Sequence, residues 1–150
     1  MQKNNYMEVS FPSLSVNEAL ARVCVAAFCL QLNPSIDEIN DIKTAVSEAV
    51  TNCVVHAYPK VNCGQINLRC ERQGQMVVIT ISDNGVGIRD IEKAREPFFT
   101  TKPCEERSGM GFAVMESFMD RVEVEKNNDK GVKVTLYKRI SSLQEQVKNA

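Results

Sequence analysis

Residues 65–87 read Gln-Ile-Asn-Leu-Arg-Cys-Glu-Arg-Gln-Gly-Gln-Met-Val-Val-Ile-Thr-Ile-Ser-Asp-Asn-Gly-Val-Gly. Ile66, Leu68 and Cys70 alternate with polar neighbours, Gly74 marks a turn, and residues 76–82 are largely apolar, so the pattern predicts a β-hairpin over 65–82. So short a connection makes the two strands antiparallel. In the second strand Val77, Ile79, Ile81 and Asp83 share one side, because successive side chains alternate across a strand. A carboxylate is thereby directed to the apolar side of the sheet where the strand ends, and a charge in such a place needs a partner. Gly85 and Gly87 follow at once and permit close approach of a flat ligand to the backbone. Taken alone, the segment also reads as a plain Asp-Asn-Gly turn.

Outward from this hairpin the periodicity changes. Residues 7–11 alternate before Pro12 and suit a short edge strand. Ser15 and Glu18 have the spacing of a capping box, and Leu20, Val23, Ala27 and Leu30 then recur at helical intervals until Asn33 and Pro34 stop the pattern. Ser35 and Glu38 repeat the signal and open a second helix, expected to end near residues 58–59, with Ile36, Ile39, Ile42, Val46, Val50 and Val54 as one apolar stripe. Beyond the central hairpin come a short helix at 90–95, a polar segment at 100–108 and a helix at 112–119. A second hairpin, 122–125 with 132–138, follows, and then a polar tail beyond Ile140 that is expected to fray. This order predicts an α+β, two-layer sandwich: a mainly antiparallel (mixed) sheet covered on one face by helices. With no internal repeat or linker, residues 1–150 read as a single domain.

Composition narrows the function. The chain has 150 residues, 43% hydrophobic and 25% charged, with a formal net charge of -1. No uniform basic field exists to hold nucleic acid or an anionic membrane directly. The longest apolar run, residues 23–30, is far shorter than the roughly 20 residues that span a bilayer. The first residues lack the apolar core of a secretory signal, so a cytoplasmic location is expected. Six cysteines occur without a C-x-x-C pair, which favours reduced core thiols over zinc or redox chemistry.

Two further features carry chemistry. Glu48, Asn52 and His56 recur every four positions along the second helix, so an acid and an amide point the same way, although such spacing also describes an ordinary solvated helix face. Ser108, Gly109, Met110 and Gly111 precede the third long helix, where glycines free backbone N–H groups to face an anion and the helix dipole favours negative charge. Thr100, Thr101, Lys102 and Arg107 add hydroxyls and positive charge suited to phosphate.

Together these segments resemble a known family. SEAVTNCVVHAY (47–58), SDNGVGI (82–88), EPFFTTK (96–102) and SGMGFAV (108–114) look like the N, G1, F and G2 boxes of the Bergerat-fold, or GHKL, ATPases. Within that superfamily the chain most resembles the small serine-kinase anti-sigma factors, above all those of sporulation, and the likeness extends to ARVCVAAF at 21–28. The resemblance implies ATP bound between helices and sheet, Mg²⁺ coordination, inhibition of a sigma factor of the sigma F type, phosphorylation of a serine on an anti-anti-sigma factor, and a homodimer. Glu48 matches the general base and Asn52 the Mg²⁺ ligand. Asp83 matches the carboxylate that accepts from the adenine amino group, with Gly85 and Gly87 shaping that wall. Gly109 and Gly111 match the lid that closes on the phosphates, and Arg22 a partner-contacting arginine; Thr101, Lys102, Arg107, Ser108 and Met110 are added to the phosphate-binding lid from their chemistry and position.

One departure stands out. The family carries Thr directly after the glycine of the last hairpin, where this chain has Val132, and strand parity keeps Thr135 from replacing the lost hydroxyl. His56 lies inside the N box, so it reads as a helix-end histidine satisfied by local hydrogen bonds rather than a phospho-acceptor. The alternatives are a non-catalytic, nucleotide-gated sigma-binding protein, or a general-stress paralogue. Transducer domains of a topoisomerase or mismatch-repair machine do not fit into 150 residues.

Overall fold

The hairpin read at 65–82 lies at the centre of a five-stranded sheet. In the computed structural model, which describes residues 4–57, 64–85, 111–127 and 131–148, the strands are β1 (Asn5–Pro12), β2 (Gln65–Gln73), β3 (Met76–Asp83), β4 (Arg121–Lys126) and β5 (Val132–Arg139). The helices are α1 (Asn17–Cys29), α2 (Ile36–Asn52), α3 (Gly111–Phe118) and α4 (Leu143–Lys148). The strand order is β1-β2-β3-β5-β4, and every described pairing is antiparallel, so the mixed sheet allowed for above is wholly antiparallel here. The expected short helix at 90–95 lies outside the described residues.

Register explains the two-layer form. Leu68 pairs with Ile81, Cys70 with Ile79, and Ile79 in turn with Leu136, so these buried residues stand on one face. There they meet Val25 and Phe28 of α1, Ile42, Val46 and Val50 of α2, and Phe112 and Met115 of α3 in one core. Each large side chain so buried contributes about 1.5–3 kcal/mol. The opposite face is polar: Ser10 donates to Asn67, Arg69 bonds Glu8, and Thr80 faces Thr135.

The first helix turns a different side inward from the one its spacing suggested. Leu20 (46% exposed), Val23 (66%) and Leu30 (67%) face outward, as does Ala27, while Ala21, Val25, Phe28 and Cys29 are buried. Both sets have helical spacing. The choice falls to the set that carries Phe28 and can close on α2 and the sheet. The Ser15–Glu18 capping box does not form either: Val16 is the N-cap, without a side-chain hydrogen bond, because the Glu18 carboxylate is engaged by Arg22 and Thr51.

The second helix follows its sequence signals more closely. Ser35 and Glu38 make the reciprocal capping box, and Asn33, in the left-handed region at φ 53°, ends the turn before it. Ile36 at the first position is exposed rather than part of the stripe. The tail does not fray where it was expected to. Glu38 accepts from both the N–H and the hydroxyl of Ser141, and Ser142 and Glu145 cap α4 reciprocally. Among the described residues no helix is long and apolar enough to cross a membrane.

Candidate functional site

The inward phase of α2 is set by Ile42, Ala45, Val46, Ala49 and Val50. Glu48 and Asn52, one turn apart, lie beside that stripe and are half-buried. The α-helix ends at Asn52 and passes into a π turn, Cys53–Ala57, earlier than the end expected near 58–59. Insertions of this kind recur at functional sites. Here the turn begins at Cys53, which is 5% exposed and whose Sγ donates to Asp83 Oδ2 at 3.4 Å. The end of α2 thus rests on the end of β3. The side chain of His56 lies outside the described part of the molecule.

Asp83 is 3% exposed, on the face that strand parity assigned to it. Its Oδ1 accepts from the N–H groups of Gly85 at 2.9 Å and Val132 at 3.3 Å, and Asn127 Nδ2 donates to its carbonyl at 2.8 Å. Burial pushes the Asp83 carboxyl above its ordinary range, and the donors Gly85, Cys53 and Val132 only partly oppose this. The Cys53 thiol is pushed well up by burial, and further by the charge and hydrogen bond of Asp83. It is therefore a neutral donor at neutral pH.

Sequence reasoning missed three of the residues that shape this corner. Gly131 has φ +83°, and a Cβ there would stand 1.9 Å from the Asp83 carbonyl oxygen; its presence in a turn-like run gave only the turn. Asn127 lies in the same connection between the strands of the second hairpin. Cys53 was read as a core thiol, although its spacing from Val46 and Val50 already placed it on the inward face of the helix.

Arg22 is not a free surface group. Its guanidinium donates to Glu18 at 2.8 Å and to Ser47 Oγ at 3.0 Å, and Thr51 Oγ1 donates to the other Glu18 oxygen at 3.0 Å. This network ties α1 to the residues flanking Glu48 and Asn52. Gly85 is described and donates to Asp83, and Gly111 is buried as the first residue of α3, which packs against α2. Gly87, Thr101, Lys102, Arg107, Ser108, Gly109 and Met110 lie outside the described residues.

The donor set suits a hard cation brought by its ligand. Glu48 and Asn52 offer oxygen atoms, the ligands that magnesium prefers. Among the described residues no group of three His, Cys, Asp or Glu could hold a metal alone.

Comparison with known proteins shows the family of the chain. The family profile of the histidine kinase-like ATPase domain matches residues 11–138. The fold is also that of a crystal structure of the RsbU and RsbW domains of a Mycobacterium tuberculosis protein, with a TM-score of 0.65 at 17% identity, over 92% of this chain and 32% of that one. An α+β ATP-binding domain of the histidine kinase-like class is thereby defined. Anti-sigma F factors are similar along nearly their whole length: that of Clostridium beijerinckii is 51% identical over 92% of this chain and 96% of its own. That of Caldanaerobacter subterraneus subsp. tengcongensis is 53% identical over 93% and 97%, and that of Bacillus licheniformis 48% over 91% and 94%. The chain belongs to the anti-sigma F factor family, the ATP-dependent serine kinases of sporulation regulation.

Proposed function

We propose that this chain, acting as one kinase domain in the cytoplasm, binds and inhibits a sigma factor of the sigma F type with ATP bound, and uses Mg²⁺-ATP to phosphorylate a serine of an anti-anti-sigma factor. The observation that carries the reading is the contact of Cys53 with Asp83, because it brings the helix end bearing Glu48 and Asn52 against the buried carboxylate of β3. Asp83 accepts from the adenine amino group, with Gly85 and Gly87 along that wall. Thr101, Lys102, Arg107 and the segment from Ser108 to Gly111 close over the phosphates.

Asn52 is the protein ligand of Mg²⁺, which when bound neutralises phosphate charge and orients the γ-phosphoryl group. Glu48 accepts the proton of the incoming serine hydroxyl as its oxygen bonds to the γ-phosphorus, and the bond to the β,γ-bridging oxygen breaks to release ADP. Arg22 contacts the protein partners. Among the described residues β1 is an edge strand of the sheet and contacts α1, and the outward apolar stripe of Leu20, Val23, Ala27 and Leu30 on that helix suits a second copy of the chain in a homodimer.

The test is Glu48→Gln, which keeps shape and removes the basic charge. Phosphate incorporation into the antagonist serine should fall by roughly 10²-fold or more, while ATP and sigma binding persist. Phosphotransfer at the wild-type rate would remove Glu48 as the base. Loss of both activities would make it a structural residue.

A further inference from the structure

We propose that Cys53 is a positioning residue for adenine recognition: its thiol fixes the plane of the Asp83 carboxylate, so that purine selectivity is set from α2 as well as from β3. The inference rests on Asp83 being the adenine acceptor. A carboxylate has about four lone-pair sites, and rotation about its last bond is soft. Oδ1 is occupied by two main-chain donors, the N–H groups of Gly85 and Val132. Oδ2 takes the Cys53 thiol, which leaves one of its lone pairs for a ligand amine.

The two ends of the carboxylate are held by different parts of the fold. Both Oδ1 donors belong to the backbone around the strand ends, whereas the Oδ2 donor is a side chain at the start of the π turn that follows Asn52. Val132 offers its N–H but no side-chain donor. Among the described residues, Cys53 is therefore the side chain that donates to this carboxylate. Its burial leaves the side chain little room to turn away. Without it the carboxylate plane is pinned through one oxygen alone, and the remaining lone pair is no longer held in one direction.

The experiment measures binding of two nucleotides by calorimetry with Mg²⁺: ATP, and purine riboside 5′-triphosphate, which lacks the 6-amino group. Wild type should prefer ATP by about tenfold, a preference that Asp83→Asn should abolish. Cys53→Ala should lose about fivefold in ATP affinity with no change for the deamino analogue, and Cys53→Ser, which restores a donor, should return ATP affinity to within about twofold of wild type. Should Cys53→Ala not fold, Cys53→Val fills the site without a donor and serves the same comparison. An equal loss for both nucleotides, no loss for either, or failure of serine to rescue would each overturn the role of Cys53 while leaving Asp83 in place. A wild type that binds both nucleotides equally, or an ATP preference that survives Asp83→Asn, would overturn the Asp83 reading itself and the inference with it.

Discussion

Gly131 stands so close to Asp83 that a Cβ on the glycine would lie 1.9 Å from the aspartate carbonyl oxygen. The start of β5 is thereby pressed onto the end of β3, where Val132 N–H also reaches the Asp83 carboxylate. Gly131→Ala meets both a backbone clash and a positive φ, and should destabilise the protein by roughly 2–4 kcal/mol and weaken ATP binding. Gly74→Ala is the control: its φ is +63° but nothing lies within 4 Å of the added carbon, so it should cost only about 1 kcal/mol. Urea unfolding of the two variants makes the comparison, and equal losses would show that the contact with Asp83 relaxes freely.

Asn52 ends α2 one residue before the thiol that touches Asp83. Asn52→Ala removes the amide oxygen proposed to reach the metal, and should abolish the Mg²⁺-dependent part of ATP binding while leaving the fold intact. Calorimetric titrations with and without Mg²⁺ separate the two contributions. A metal dependence equal to that of the wild type would exclude Asn52 from the site.

Glu38 joins the start of α2 to the tail. Burial acts to raise its carboxyl, but the N–H and hydroxyl donors of Ser35 and Ser141 outweigh it and leave the group below the ordinary Glu value of 4.5. Because the folded state holds the ionised form more tightly, the stabilisation is present above that value and is lost as pH falls through the lower, folded-state value. Glu38→Gln should cost about 1 kcal/mol at pH 7, and the gap from wild type should close in the acid range. Melting temperatures of both proteins from neutral to acid pH test this. A gap independent of pH would mean that charge plays no part in the contact.

Val23 is 66% exposed on the outward stripe of α1. Val23→Asp should change folding stability by no more than about 0.5 kcal/mol, as a surface substitution does. It should shift the chain from dimer to monomer in sedimentation experiments. A dimer of unchanged strength would take the stripe out of the interface.

Much of this fold and part of its site were determined by local sequence. The alternation of Ile66, Leu68 and Cys70, the turn at Gly74 and the run into Asp83 specified the central hairpin and its inward face, because side-chain direction in a strand follows from parity. The Ser35–Glu38 cap was equally legible, since all its donors and acceptors lie within one turn. For the same reason Glu48 and Asn52 could be placed side by side on one helix. What only the tertiary structure decided was which of two equally spaced apolar stripes α1 buries: Phe28 and Val25 find the core, while Leu20 and Val23 are left outside. The tail likewise becomes a capped helix because Glu38, far away in sequence, reaches Ser141. Gly131 and Cys53 owe their importance to Asp83, which approaches them across distances of 48 and 30 positions in the chain. Helical and strand periodicity are local properties of the chain, whereas the burial of one stripe and the closing of a carboxylate between three donors depend on which elements fold against each other.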